Sequence, residues 1–240
     1  MTGPVVVITG AARRLGRRLA ETLHAAGYRI VLHCNRSTAE ADAVSAALNR
    51  QRDDSASVVQ AELTVPDIDD LAQQLLTPFG RIDHLINNAS AFYPTPVSEI
   101  NPAQFDELIS INLRTPYLLS CALATALSGG SIINLVDIYG DKPLSGYSAY
   151  SISKAGLAMA TRALALELAP AVRVNGIAPG AILWPEGESA ESENWQNLLE
   201  TIPLGRLGNA DNIADAALFL ISTDYVTGHI LTVDGGSSLS

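Results

Sequence analysis

Charge is scarce in this chain: 17% of its 240 residues are Asp, Glu, Lys or Arg, against about 25% in an average soluble domain. The shortfall implies much buried surface and one sizeable core. Basic groups are scarcer still, 15 against 25 acidic ones, for a net charge of -10. That balance gives no footprint for a nucleic-acid backbone or an anionic membrane surface, so neither is an expected partner, although local basic pockets remain open. Cysteine is nearly absent. Cys34 and Cys121 stand in apolar-rich runs without metal-ligand spacing, so no disulfide framework and no metal centre are expected, and both thiols are read as reduced and buried. No secretory signal is expected either, because MTGPVVVITG has no basic n-region and only a short apolar run. The uncharged stretch 115–136 is interrupted by Pro116 and Gly129-Gly130, and reads as helix, turn and buried strand rather than a membrane span. A soluble, cytoplasmic protein is expected.

What is present is a repeating alternation. Short β-branched runs at 5–9, 29–34, 57–61, 84–88, 132–136, 172–177 and 230–233 are nearly continuously apolar, as strands buried on both faces are. Between them, Leu15, Leu19, Leu23 and Ala26 fall at helical spacing before Gly27, and similar patterns cover 38–50, 67–76, 102–127, 150–169 and 211–222. Strands alternating with helices predict parallel βαβ units. The expected fold is α/β, a doubly wound parallel sheet of about seven strands, Rossmann-type, with helices on both faces and the whole of 1–240 as one domain. The segment 181–200, acidic and holding Pro185 and Gly187, interrupts the alternation and is read as a loop over the substrate.

The first strand runs into Thr9-Gly10-Ala11-Ala12-Arg13-Arg14-Leu15-Gly16 and then a helix. A small-residue turn there aims N–H groups and the positive helix end at a pyrophosphate, and the Arg14 guanidinium is placed to meet a cofactor phosphate or the substrate. At the end of the second strand, His33-Cys34-Asn35-Arg36-Ser37 carries no acid for a ribose 2′-OH but does carry Arg36 and Ser37, which suit a 2′-phosphate. NADPH is therefore the expected cofactor, with Arg13 and His33 as auxiliaries. Glu62-Leu63 ends strand three on the adenine side, and Asn87-Asn88-Ala89-Ser90 ends strand four beside the crevice.

The most specific pattern is Tyr150-Ser151-Ile152-Ser153-Lys154. On a helix, positions i and i+4 share a face, so the Lys154 ammonium is expected near the Tyr150 phenol, lowering its pKa and fitting it to deliver a proton near neutral pH. Tyr147 has Ser151 at i+4, so only one register works. Lys154 is also placed for the nicotinamide ribose.

Together, Thr9 to Gly16, Asn87 to Ala89, Asn112, Tyr150 with Lys154, and Pro179-Gly180 resemble the short-chain dehydrogenase/reductase family over the whole chain. The resemblance implies that Asn112 holds a water in a proton relay to the lysine, and that Pro179 and Gly180 meet the nicotinamide. It also implies a homotetramer in which helices 102–127 and 150–169 pack on symmetry mates. Thirteen residues before Tyr150, where the family has a carbonyl-binding serine, this chain has Asp137. A carboxylate only accepts hydrogen bonds, so it suits a nitrogen heterocycle better than a carbonyl oxygen gaining charge.

Arg14 and Ser90 in place of glycines, Asp137, and the run Ala91-Phe92-Tyr93-Pro94-Thr95-Pro96 resemble the pteridine reductase subfamily. That resemblance implies a flat pterin or folate substrate sandwiched between Phe92 and the nicotinamide, with Ser90 and Arg14 bonding cofactor phosphates and pterin. Asp137 and Tyr150 would face the ring nitrogens. Reduction of a dihydropterin at a ring C=N is the leading expectation. The alternatives are a carbonyl or 3-oxoacyl reductase of the same family and a non-catalytic NADPH-binding scaffold, the last disfavoured by the intact Tyr150, Lys154 and Asn112.

Overall fold

The computed structural model describes residues 3–182 and 199–239. Its frame is a seven-stranded sheet in the order β3-β2-β1-β4-β5-β6-β7, every neighbouring pair parallel. The strands are β1 (Val5–Ile8), β2 (Arg29–Cys34), β3 (Ala56–Gln60), β4 (His84–Asn87), β5 (Ser131–Leu135), β6 (Arg173–Pro179) and β7 (Ile230–Val233). Around them lie α1 (Arg14–Ala25), α2 (Thr38–Gln51), α3 (Ile68–Leu76), α4 (Pro102–Ile109), α5 (Thr115–Leu123), α6 (Ser148–Leu168) and α7 (Ala210–Ser222).

The continuous apolar strands follow from burial on both faces. Val6 and Ile8 pack with Leu19 and Leu23 of α1 and with Ile213 and Leu220 of α7. The alternating neighbours Val5 and Val7 pack with Leu71 of α3, Leu119 of α5 and Leu164 of α6. The chain winds outward from β1 to β3, then crosses back to lay β4 on the other side of β1. Parallel neighbours leading away in opposite directions open a crevice above their C-terminal ends, where ligands of such sheets bind.

The expected helix 102–127 is broken. A π-helical turn, Ser110–Arg114, separates α4 from α5, and α5 ends at Leu123. Pro116 supplies one cause: without an N–H, it cannot return the helical bond to the carbonyl of Asn112. The wider turn leaves Asn112 fully buried, and such single-turn widenings favour functional sites. The cysteines also depart from expectation, since Cys34 is buried but Cys121, on α5, is exposed. Among the described residues no helix is long and apolar enough to cross a membrane.

Candidate active site

A groove of about 670 Å³ opens above the C-terminal ends of β1, β2 and β4. Of the residues predicted for the cofactor, Gly10, Arg13, Arg14, Leu15, Gly16, Asn35, Arg36, Ser37, Glu62, Asn88, Ala89 and Ser90 all line it. Its walls also include Ala12, Cys34, Thr64, Glu107 and Ile111, which the sequence reading passed over. For Glu107 and Ile111 a signal existed, since i and i+4 share a helix face.

The turn after β1 is shaped by two glycines. Gly10 has a φ of +66°, and a Cβ on Gly16 would sit 2.1 Å from the Gly10 carbonyl oxygen, so neither position admits a side chain without moving backbone. Asn88 ties the turn to β4: its amide Nδ2 donates to the carbonyls of Thr9 and Gly10 at 2.8 and 3.1 Å. The Thr9 hydroxyl accepts the N–H groups of Asn88 and Ala89, both at 3.0 Å. Arg14, where the family resemblance expects glycine, keeps the left-handed backbone with a φ of +49°. For a side chain with a Cβ that costs about 1–2 kcal/mol, and such strain concentrates at ligand sites. Helix α1 starts there with no acidic residue in its first turn, so its positive end is not screened by its own side chains.

Six predicted cofactor residues are absent from the groove lining: Tyr150 and Lys154, which belong to the neighbouring cluster, and His33, Leu63, Pro179 and Gly180. His33 is buried and absent from the groove lining. Its Nδ1 accepts the Gly10 N–H at 3.3 Å and its Nε2 donates to the Ala61 carbonyl at 3.1 Å. Burial pulls its pKa down to about 4, so it is neutral and offers no charge to a phosphate. Leu63 is buried too, its carbonyl accepting the Thr115 hydroxyl at 2.7 Å. Pro179 and Gly180 lie half-buried at the end of β6, outside the groove lining. Of the loop 181–200, residues 183–198 lie outside the described residues.

Beside the groove, the end of β5 meets the start of α6. Asp137 is extended (φ −172°) and caps the short turn Ile138–Gly140 by accepting the Tyr139 N–H at 2.9 Å. Its other oxygen accepts the Tyr150 phenol at 2.6 Å. Lys154, also buried, donates to the Leu135 carbonyl at 2.8 Å and lies 5.7 Å from the centre of the Tyr150 ring. Asn112 has every side-chain position used. Its Oδ1 accepts Ser90 Oγ at 3.0 Å and the Ala91 N–H at 2.8 Å, while its Nδ2 donates to the Ala91 carbonyl and to Ser153 Oγ, both at 3.0 Å. The widened turn thereby pins the segment that carries Ser90 and Phe92. Phe92 is half exposed, stacks on Tyr147 (centroids 4.7 Å, planes 13° apart) and meets Tyr150 edge-on at 4.7 Å.

The shift of Tyr150 runs opposite to the lowering expected from Lys154. Burial raises the Tyr150 pKa well above its ordinary value, and the charge and hydrogen bond of Asp137 raise it further. The carboxylate at this position accepts the phenol's hydrogen bond and so keeps the proton on Tyr150. Burial likewise raises Asp137, against the hydrogen bonds from Tyr150 and the Tyr139 N–H and the charge of Lys154. Lys154 is drawn down to about 8 by burial, which Asp137 only partly offsets. The result is a buried carboxyl and phenol sharing a short hydrogen bond, an arrangement suited to handing a proton to a basic nitrogen.

A protein-family model described as enoyl-(acyl carrier protein) reductase matches residues 10–238. Pteridine reductase 1 of Leishmania tarentolae is 35% identical, with all of this chain and 98% of that protein covered. The 3-oxoacyl-(acyl-carrier-protein) reductase of Haemophilus influenzae is 33% identical with both chains covered in full. L-xylulose reductase of Bos taurus is 31% identical over 98% of this chain and 97% of that one. Identity therefore does not separate these substrates, and the side chains of the site must.

A pH test follows from Lys154. Its folded pKa, about 8, lies below the ordinary 10.5, so between those values the unfolded chain binds more protons and this group makes stability rise with pH. The thermal midpoint of Lys154→Met relative to wild type is expected to be highest at pH 7 and to fall steadily toward pH 10.5. A difference that does not change with pH would contradict the buried, weakened ammonium.

Proposed function

The chain belongs to the short-chain dehydrogenase/reductase family of nicotinamide-dependent oxidoreductases, and we propose that it reduces a pterin, a dihydropterin foremost and also folate-type rings, with NADPH. The observation that carries this reading is the 2.6 Å contact between Asp137 and the Tyr150 phenol. A ketone reductase needs donors toward an oxygen that gains charge; an Asp137 carboxylate there is an acceptor. A pterin instead presents N–H donors to it and a ring nitrogen that must gain a proton.

The groove's donor set fits the cofactor. Arg13, Arg14 and Arg36 line it together with the start of α1, a combination suited to a pyrophosphate and a 2′-phosphate. Gly10, Leu15 and Gly16 would let backbone approach the pyrophosphate, Asn35, Arg36 and Ser37 would take the 2′-phosphate, and Glu62 would face the adenine. Asn88, Ala89 and Ser90 would border the nicotinamide side, with Pro179 and Gly180 across from them. Bound NADPH supplies the hydride to the carbon of the ring C=N. Asp137 and Tyr150 hold the proton for the nitrogen, Lys154 holds the nicotinamide ribose, and Asn112 keeps Ser90 and Phe92 in place; with its side chain fully engaged, only its main-chain carbonyl is left for the lysine's water relay. Phe92, backed by Tyr147, offers the aromatic surface a flat ring prefers. The segment 181–200 is read as the loop over the substrate.

Assembly as a homotetramer belongs to the same reading. Ile152, Met159 and Leu166, spaced by seven on α6, are 53%, 61% and 82% exposed, an apolar stripe available to a second copy. Light scattering should return about four times the 25.3 kDa chain mass; a monomer mass would reject the assembly.

Substrate identity is tested by following NADPH oxidation with a 7,8-dihydropterin, dihydrofolate and a 3-oxoacyl thioester, for wild type and Asp137→Ser. Wild type should turn over the dihydropterin fastest and prefer NADPH to NADH. The substitution should cost about 100-fold or more on the pterin while sparing the thioester. Wild-type activity confined to the thioester would leave only the family-level oxidoreductase.

A further inference from the structure

We infer that His33, hidden beneath the cofactor groove, is a positioning residue that holds the phosphate turn and the adenine-side loop in register with each other. The inference rests on the cofactor reading above and assigns a part to a side chain that cannot touch the cofactor itself.

His33 reaches both ends of the site at once. Its imidazole accepts the Gly10 N–H through Nδ1 and donates from Nε2 to the Ala61 carbonyl, while its own carbonyl accepts the Ala11 N–H at 2.9 Å. An amide can only donate, so Nδ1 must be bare and Nε2 must carry the proton; the two contacts require a single tautomer and satisfy it. Two successive N–H groups of the turn are thus spent on His33, which fixes the path by which the chain leaves β1. At 1% exposure, the ring has no water to replace either partner.

The adenine-side segment is gripped from two sides. Ala61 is held through His33 Nε2 and through its N–H to the Cys34 carbonyl at 3.0 Å, and Leu63 through the Thr115 hydroxyl at 2.7 Å. Between these two anchors sits Glu62, which lines the groove. Loss of His33 would free one anchor of that segment and leave the left-handed Gly10 without a partner for its N–H. Neither change reaches Asp137, Tyr150 or Lys154. The penalty belongs to cofactor binding and not to the proton-transfer step.

The test measures NADPH dissociation constants by nicotinamide fluorescence, alongside KM and kcat, for His33→Leu, His33→Asn and Thr115→Val. Leu removes both contacts, whereas the Asn Oδ1 stands in for the Nδ1 acceptor. His33→Leu should raise the Kd and KM for NADPH about tenfold or more with kcat within about twofold. His33→Asn should recover part of the affinity, and Thr115→Val should weaken binding in the same direction. Should His33→Leu fail to fold, the Asn and Val variants carry the same comparison. Unchanged Kd in variants that fold, or a loss confined to kcat, would overturn the positioning role while the cofactor reading stands. Failure of wild type to bind NADPH would overturn the cofactor reading and this inference with it.

Discussion

The site depends on one hydrogen bond, the phenol of Tyr150 on the carboxyl of Asp137, and on the burial that makes it strong. A carboxylate in water gains little from a phenol, but at low local dielectric an uncompensated charge is costly and each donor counts. Asp137 meets that demand with two donors, the Tyr139 N–H on one oxygen and Tyr150 on the other. Both are fixed by fold rather than by chance. The end of β5 places Asp137, the short turn after it supplies the N–H, and the first turn of α6 brings Tyr150 back across the gap. Lys154 then locks α6 to β5 through the Leu135 carbonyl.

Around this pair, buried and half-buried polar side chains act as struts between elements that meet only at the crevice. Asn88 joins β4 to the β1 turn, Asn112 joins the π-helical turn to the Ser90 segment, and Thr115 and His33 hold the end of β3. Asn112 and His33 have all their side-chain hydrogen-bonding groups used by the protein, which suits a pre-shaped groove whose parts do not need to reorganise on binding. Strain is kept at Arg14, whose left-handed backbone stands in the wall of the groove.

The alternation of strands and helices was legible because β1, β2 and β5 are buried on both faces and so carry nearly unbroken apolar runs. The groove was legible because the fold defines its positions in advance: once β1 and β4 are neighbours, the residues after them must face the crevice. What could not be read was direction and depth. In a strand buried on both sides the apolar pattern has no outer face, so nothing in β2 distinguished a His33 aimed at a phosphate from one folded beneath the turn. The break of helix 102–127 depended on Pro116 acting on a carbonyl four residues back. The sense of the Tyr150 shift depended on the carboxyl being buried and aimed at the phenol, whereas spacing alone emphasised Lys154. The stacking of Phe92 on Tyr147 joins segments far apart in sequence, for which local pattern holds no signal.

If Asp137 and Tyr150 act as one proton-holding pair, the protonation state of the phenol reports it. Tyrosines carrying carbon-13 at Cζ, observed by NMR from pH 6 to 11 in wild type and in Tyr150→Phe to assign the signal, give that state without substrate. The Tyr150 resonance is expected to stay at the neutral-phenol position throughout, and in Asp137→Ser to titrate at lower pH. A wild-type resonance moving to the phenolate position between pH 7 and 9 would contradict it, and would restore Lys154 as the group that governs the proton.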